Sequence, residues 1–252
     1  MGHTAHTDTF VRDRLPPPAQ WPAFTFDLPG LAYPDRLNCA AELLDAQVAA
    51  GCGPRPAVRS PHETWSYAEL LAKANQVACV LVEDLGLVPG NRVLIRGANN
   101  PAFVACWMGV AKAGGVVVAT MPLLRAAEIA TILDKAQVQF ALCDERLVEE
   151  LDKACAKAGV SPRACCFNGS GQPGAGAELE AAMARKPQTF DNAPTASDDP
   201  VLIAFTSGTT GQPKAAVHFH RDVLAMCDTY SKHVLHPGPD DVFIGSPPIA
   251  FT

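Results

Sequence analysis

Basic charge is scarce in this sequence: 20 Lys and Arg stand against 26 Asp and Glu, a formal net charge of −6. Such a chain lacks the broad positive field on which non-specific nucleic-acid binding depends, so no nucleic-acid partner is expected. Long apolar runs are also missing. Residues 1–21 hold no apolar core of the length a secretory signal needs, and charged residues interrupt them. The most apolar stretch, Pro101–Leu124, is broken by Lys112 and by Gly114-Gly115, which reads as a buried helix followed by a strand rather than a membrane span. A cytoplasmic protein with no membrane partner is the expectation. Finally, the nine cysteines include no C-x-x-C pair, so the usual spacing for zinc or dithiol redox chemistry is absent. Their number is odd and their spacing irregular, and adjacent Cys165 and Cys166 are poorly placed to bridge each other. Reduced, mostly buried thiols follow from this.

What is present is apolar content: 48% hydrophobic residues over 252 positions suffice for one or two real cores. Residues 1–37 are rich in proline and aromatics (Pro16-Pro17-Pro18, Trp21, Phe24, Phe26, Tyr33), which suits an extended arm lying against a body. Beyond it the chain alternates between two periods. A helix is expected from Asn38 to Ala50, a strand at Pro56–Arg59, and a helix opened by Ser66 with Glu69 three residues later, the pattern of a capping box. That helix carries Leu70, Leu71, Ala74, Val77, Ala78, Leu81, Val82 and Leu85 on one face. Strands follow at Arg92–Arg96, Val116–Ala119 and Val138–Cys143. Helices are expected at Pro101–Ala113, Ala126–Ala136 and Arg146–Ala158.

Short apolar strands alternating with helices predict an α/β fold, with parallel-sheet layers covered by helices on both faces. The division expected is an arm (1–37), a first α/β subdomain (38–186), a linker (187–200) and the start of a second α/β subdomain (201–252). Ligands in such sheets sit beyond the carboxyl ends of the strands. One segment, Thr206-Ser207-Gly208-Thr209-Thr210-Gly211-Gln212-Pro213-Lys214, falls there, directly after the apolar run Pro200–Ala204.

That segment is not a Walker A loop, because Gly211 is followed by Gln212, Pro213, Lys214 and Ala215, leaving no hydroxyl after the lysine. A second stretch, Gly169-Ser170-Gly171-Gln172-Pro173-Gly174, formally matches G-x-G-x-x-G. Pro173 lacks an N–H, the strand before it is weak, and Gly/Pro-rich surface loops produce such patterns easily, so a variable loop is the expectation. In Thr206–Lys214 the glycines let the backbone turn its N–H groups toward an anion, the hydroxyls add donors and Lys214 adds charge. His218 and His220 alternate on the next run. Without a third ligand nearby, packing and helix capping is the expected role, and no metal site is expected.

The run TSGTTGQPK resembles the phosphate-loop signature of the AMP-forming adenylate-forming enzymes: acyl-CoA synthetases, luciferases and peptide-synthetase adenylation domains. Thr64-Trp65-Ser66-Tyr67-Ala68-Glu69-Leu70, Gly90-Asn91-Arg92-Val93 and Lys112-Ala113-Gly114-Gly115 match further family motifs in the same order. The arm LPPPAQWPAF, with LNCAAELLD after it, is similar to the benzoate and 2-aminobenzoate CoA-ligase branch. The resemblance implies an acid–thiol ligase: a small aromatic carboxylate and ATP give acyl-AMP and diphosphate, and the acyl group then passes to CoA. It implies that Thr206, Ser207, Gly208, Thr209, Thr210, Gly211 and Lys214 hold ATP phosphates with Mg²⁺, with Lys214 and Thr209 acting in catalysis. It places Phe251 at the position of a mobile aromatic beside the acyl pocket. Amino-acid-activating relatives carry an aspartate after that aromatic, and Thr252 here argues against an α-amino-acid substrate.

The family's later motifs, those holding adenine and ribose, the hinge, and the C-terminal domain with its adenylation lysine, do not occur, and the CoA site is not expected within these residues. The expectation is therefore an N-terminal portion of a ligase that completes neither half-reaction alone. Its sheet would expose apolar surface and so associate into homo-oligomers. A ligase for another carboxylic acid, and a non-catalytic nucleotide-binding or interaction module, remain open.

Overall fold

A computed structural model describes residues 3–168, 178–206, 213–245 and 247–250. The strands are β1 (Pro56–Arg59), β2 (Thr64–Ser66), β3 (Arg92–Arg96), β4 (Val116–Thr120), β5 (Phe140–Asp144), β6 (Arg163–Phe167), β7 (Pro200–Thr206) and β8 (Lys214–Phe219). The α-helices are α1 (Tyr67–Cys79), α2 (Pro101–Lys112), α3 (Ala126–Ala136), α4 (Val148–Ala158), α5 (Glu178–Met183) and α6 (His220–Met226). β1 and β2 form an antiparallel hairpin. The other strands make a six-stranded sheet in the order β6-β5-β3-β4-β7-β8. Neighbours from β6 to β7 are parallel, and β8 closes the edge antiparallel to β7.

Strand residues alternate between two apolar layers, because successive side chains point to opposite sides of a sheet. Val93, Ile95, Val117 and Leu142 pack with Val77, Val110 and Leu179, the layer of α1, α2 and α5. Leu94, Val116, Val118 and Ala141 pack with Ile129, Leu133 and Leu151, the layer of α3 and α4. Both faces are covered, as the α/β reading expected.

Helix ends follow the local chemistry. Ser66 and Glu69 form the expected capping box at α1: the Ser66 hydroxyl accepts from Glu69 N at 3.2 Å and Glu69 accepts from Ser66 N at 2.8 Å. Asn100 caps α2 by accepting from Phe103 N at 2.8 Å, with Pro101 at the first helical position. Gly159, at φ +66°, ends α4. The expected helix after Asn38 forms, with Asn38 Oδ1 accepting from Ala40 N, but winds in wide π turns at Ala41–Asp45 and Val48–Cys52. A similar turn, Val80–Asp84, follows α1. The extra residue per turn shifts the phase of the apolar stripe, so Leu81 is buried while Val82, expected on the same face, is exposed.

The arm lies at the amino ends of the strands, opposite the loop that follows β7, and contains two short 3₁₀ turns, Arg12–Arg14 and Pro18–Gln20. Asp8 accepts from Arg92 Nη1 (2.7 Å), Asn91 Nδ2 (2.8 Å) and Gln139 Nε2 (2.8 Å), just before or at the start of β3 and β5. Arg92 is buried, and its remaining donors meet the carbonyls of Gly90, Ala136 and Gln137. Farther along, Trp21 packs at a tilt against Phe219, ring centroids 5.5 Å apart, and Tyr33 donates to Asp228.

Residues 187–200, expected as a linker, are tied to the body. Leu37 and Thr195 exchange backbone and side-chain hydrogen bonds, and Ala193 N donates to the Lys112 carbonyl. From there β7 enters the same sheet beside β4, so the described residues continue one sheet through this segment.

Candidate functional site

β7 is buried from Pro200 to Ala204, half-buried at Phe205 and exposed at Thr206, so it emerges at the carboxyl end of the sheet where the hydroxyl-rich segment begins. β8 returns beside it in register, with Thr206 opposite Lys214 and Phe205 opposite Ala215. The expected phosphate segment is therefore held at both ends by a paired strand neck. Its neck residues, the Thr206 hydroxyl and the Lys214 ammonium, are both exposed. A second ammonium lies beside them: Lys135 Nζ, from the last turn of α3, donates to the Pro213 carbonyl at 2.7 Å. Two cations and a hydroxyl at one hairpin neck favour an anion. Ser207, Gly208, Thr209, Thr210 and Gly211 lie outside the described residues, as does Phe251.

A cavity of about 790 Å³ opens at the carboxyl ends of β3, β5 and β6, walled by Trp65 and Phe167 and edged by Lys73, Asn99, Arg146 and Glu180. One of its two cations, Arg146, is held in place. Asp144, fully buried at the end of β5, accepts from Arg146 Nε at 2.8 Å and Nη2 at 2.6 Å, and from Asn168 Nδ2 at 3.1 Å. Burial alone would raise the Asp144 carboxyl. The bonds from Arg146 and Asn168 outweigh it and hold the group below the ordinary carboxylate range. Sequence reasoning did not pick out this pair, although an acid two residues before an arginine at a strand end is a readable signal.

The residues weighed as alternatives resolve differently. β6 before Gly169 is a regular strand, paired with β5 along its whole length, which corrects the expectation of a weak strand there; Gly169–Gly174 itself lies outside the described residues. His218 sits half-buried on β8, whereas His220 is the first residue of α6 and fully buried, so the two do not share a strand face. His220 Nδ1 accepts from Cys39 N at 3.1 Å, a packing role. Burial, reinforced by nearby His6, pushes the His220 imidazole down to about 3. Among the described residues, no group of three or more His, Cys, Asp or Glu is placed to hold a metal ion, and no helix is long and apolar enough to cross a membrane. The described cysteines are free thiols, five of them buried, and burial raises Cys165 to about 12.

A family model described as AMP-binding enzyme matches residues 44–252. Among curated proteins, the benzoate–CoA ligase of Thauera aromatica is 26% identical over 223 residues, which are 88% of this chain and 42% of that protein. Among solved structures, ATP-bound MatB from Rhodopseudomonas palustris superposes with a TM-score of 0.72 at 28% identity, covering 84% of this chain and 40% of that one. An anthranilate CoA ligase, AuaEII, solved with anthranoyl-AMP, superposes with a TM-score of 0.73 at 20% identity, covering 80% of this chain and 38% of that one, and shares the fold. The chain spans less than half the length of these relatives.

Proposed function

Since the chain belongs to the AMP-binding enzyme family, we propose that it serves an AMP-forming ligase joining an aromatic carboxylate, benzoate or 2-aminobenzoate, to CoA. The observation that carries this reading is the β7–β8 hairpin, which holds the glycine- and hydroxyl-rich segment between Thr206 and Lys214 at the carboxyl end of the sheet. An exposed hydroxyl and an exposed ammonium there fit the triphosphate of ATP. Mg²⁺ would ride on the phosphate oxygens, needing few protein ligands.

In the proposed reaction the substrate carboxylate oxygen attacks the α-phosphorus of ATP, and the bond to diphosphate breaks. The chain's part is to neutralise charge that builds on the leaving diphosphate, with Lys214 and the hydroxyls of Thr206, Ser207, Thr209 and Thr210 as donors and Gly208 and Gly211 letting the backbone approach. The CoA thiol then displaces AMP from the acyl-adenylate. Nothing among the described residues is assigned to CoA, and residues 1–252 alone are proposed to bind substrates without turnover.

The aromatic preference rests on similarity, from the arm sequence and from the benzoate–CoA ligase relative. Equilibrium dialysis of labelled benzoate, 2-aminobenzoate and aliphatic acids in the presence of MgATP tests it. Retention of the aryl acids is expected, and retention of aliphatic acids alone would assign another carboxylate. Diphosphate release by these residues alone would overturn the expectation of no turnover.

A further inference from the structure

Arg96, the last residue of β3, carries a charge into the core, where it is only 1% exposed. Among the described residues it makes no ion pair, and its guanidinium is spent on backbone instead. Nη1 donates to the Met121 carbonyl at 3.0 Å, Nη2 to the Pro122 and Leu124 carbonyls at 3.1 and 2.9 Å, and Nε to the Leu147 carbonyl at 3.5 Å. Carbonyls have no net charge, so they hold the cation without neutralising it. The acid whose charge reaches it, Glu150, already accepts from Lys153 Nζ at 3.2 Å and Ala126 N at 3.0 Å. Cys143, its register partner on β5, is a thiol that burial pushes up to about 12 and is therefore neutral. Burial works against the guanidinium charge, yet arginine keeps its proton inside proteins.

The turn that Arg96 braces lies beside the hairpin neck. Val117 of β4 is the register partner of Leu202 of β7, and carrying that register on by four residues puts Met121 level with Thr206, itself opposite Lys214. Neighbouring strands are about 4.8 Å apart, so a guanidinium on the Met121 carbonyl stands within roughly 10 Å of Thr206. Its field reaches the neck partly through protein, where salt screens it less than it screens a surface lysine. Bracing a turn needs only donors, which neutral side chains also have; the charge is what arginine adds. We propose that Arg96 is a positioning residue for an anion at the β7–β8 neck: its buried, unneutralised charge draws an oligophosphate toward Thr206 and Lys214 without touching it. That the oligophosphate is ATP rests on the function proposed above; the field at the neck does not.

A thiol at the neck reads that field with no ligand present. In Thr206→Cys, the thiol pKa is followed by mass spectrometry through the pH dependence of alkylation of the peptide carrying residue 206. Adding Arg96→Gln is expected to raise that pKa by at least about 0.3 unit, and a smaller rise overturns the proposal. Leu124→Ala loosens the same turn without changing charge and is expected to leave the thiol within about 0.1 unit. A rise as large as that of Arg96→Gln would reduce Arg96 to a brace and overturn the proposal. Should Arg96→Gln not fold, Thr206→Cys alone in about 1 M salt decides, because Lys214 and Lys135 are then screened. A thiol still below about 8.5 supports the buried cation, and one at or above that value overturns it. Calorimetry with MgATP tests the ligand: binding at least about threefold weaker in Arg96→Gln is expected, and unchanged affinity overturns the role in phosphate binding. If the unaltered chain binds no MgATP, the nucleotide falls with the proposed function, while the thiol still decides the field.

Discussion

Replacing Asp199 with alanine should unlatch the amino-terminal arm from the strand that leads to the hairpin. The Asp199 carboxylate is completely buried just before β7 and accepts from Ala196 N (2.9 Å), Ala5 N (3.0 Å), Arg12 Nη1 (2.7 Å) and the Thr4 hydroxyl. Losing a buried ion pair outright costs about 3–5 kcal/mol. Arg12, however, keeps 27% of its side chain exposed and can rehydrate, so its share shrinks to about 1 kcal/mol. The two amides left without an acceptor add about 1 kcal/mol each. Asp199→Ala is therefore expected to lower stability by about 3 kcal/mol in urea titration at pH 7, with Asp199→Asn falling between. The pair with Arg12→Ala should show a coupling of about 1 kcal/mol in a double-mutant cycle. A loss under about 0.5 kcal/mol, or no coupling, would refute the reasoning. Burial opposes the Asp199 charge, but its hydrogen bonds and the nearby histidine win and lower its pKa. Its contribution is thus complete above the ordinary carboxylate pKa and lost as pH falls through the lowered value.

His220, a different residue from the His6 that faces Asp199, gives a second pH signature. His220, pushed down to about 3 by burial, takes up a proton on unfolding anywhere between that value and about 6.5. Stability from this site is complete above that window and declines on acidification by up to ~1.4 kcal/mol per pH unit. His220→Gln should flatten the urea midpoint between pH 6.5 and 5, and an unchanged slope would count against the assignment. Gly109→Ala tests the α1–α2 contact. A Cβ there would stand 2.6 Å from Val77 Cγ1 and 2.9 Å from the Ala74 carbonyl. Overpacking of about 1–3 kcal/mol should appear as a lower Tm, despite alanine's better helix propensity.

Local chemistry was readable where a short window holds the whole cause. Ser66 and Glu69 are three residues apart, and α3 ends where its apolar stripe does, at Ala136. β3 reads as a strand because both neighbouring faces are apolar. Long-range pairing was not readable. That β8 runs antiparallel to β7, and that β3 lies between β5 and β4, follows from packing across the whole sheet. The Asp8–Arg92 pair and the bond from Asn99 to the Pro247 carbonyl join residues far apart in sequence, which no periodicity records. At the site, Thr206 and Lys214 were legible as a motif, yet their register partnership needed the fold. Lys135 was not legible at all: its place beside Pro213 depends on α3 packing close to the hairpin.

The central claim is that the β7–β8 hairpin holds ATP phosphates. Calorimetric titration of the 252-residue chain with MgATP, beside Lys214→Ala and Thr209→Ala, tests it most directly. Saturable one-to-one binding that weakens at least tenfold in each variant is expected, the effect of losing a charge-assisted contact of about 1.5–3 kcal/mol. Equal affinity in all three proteins would place the nucleotide elsewhere and contradict the account.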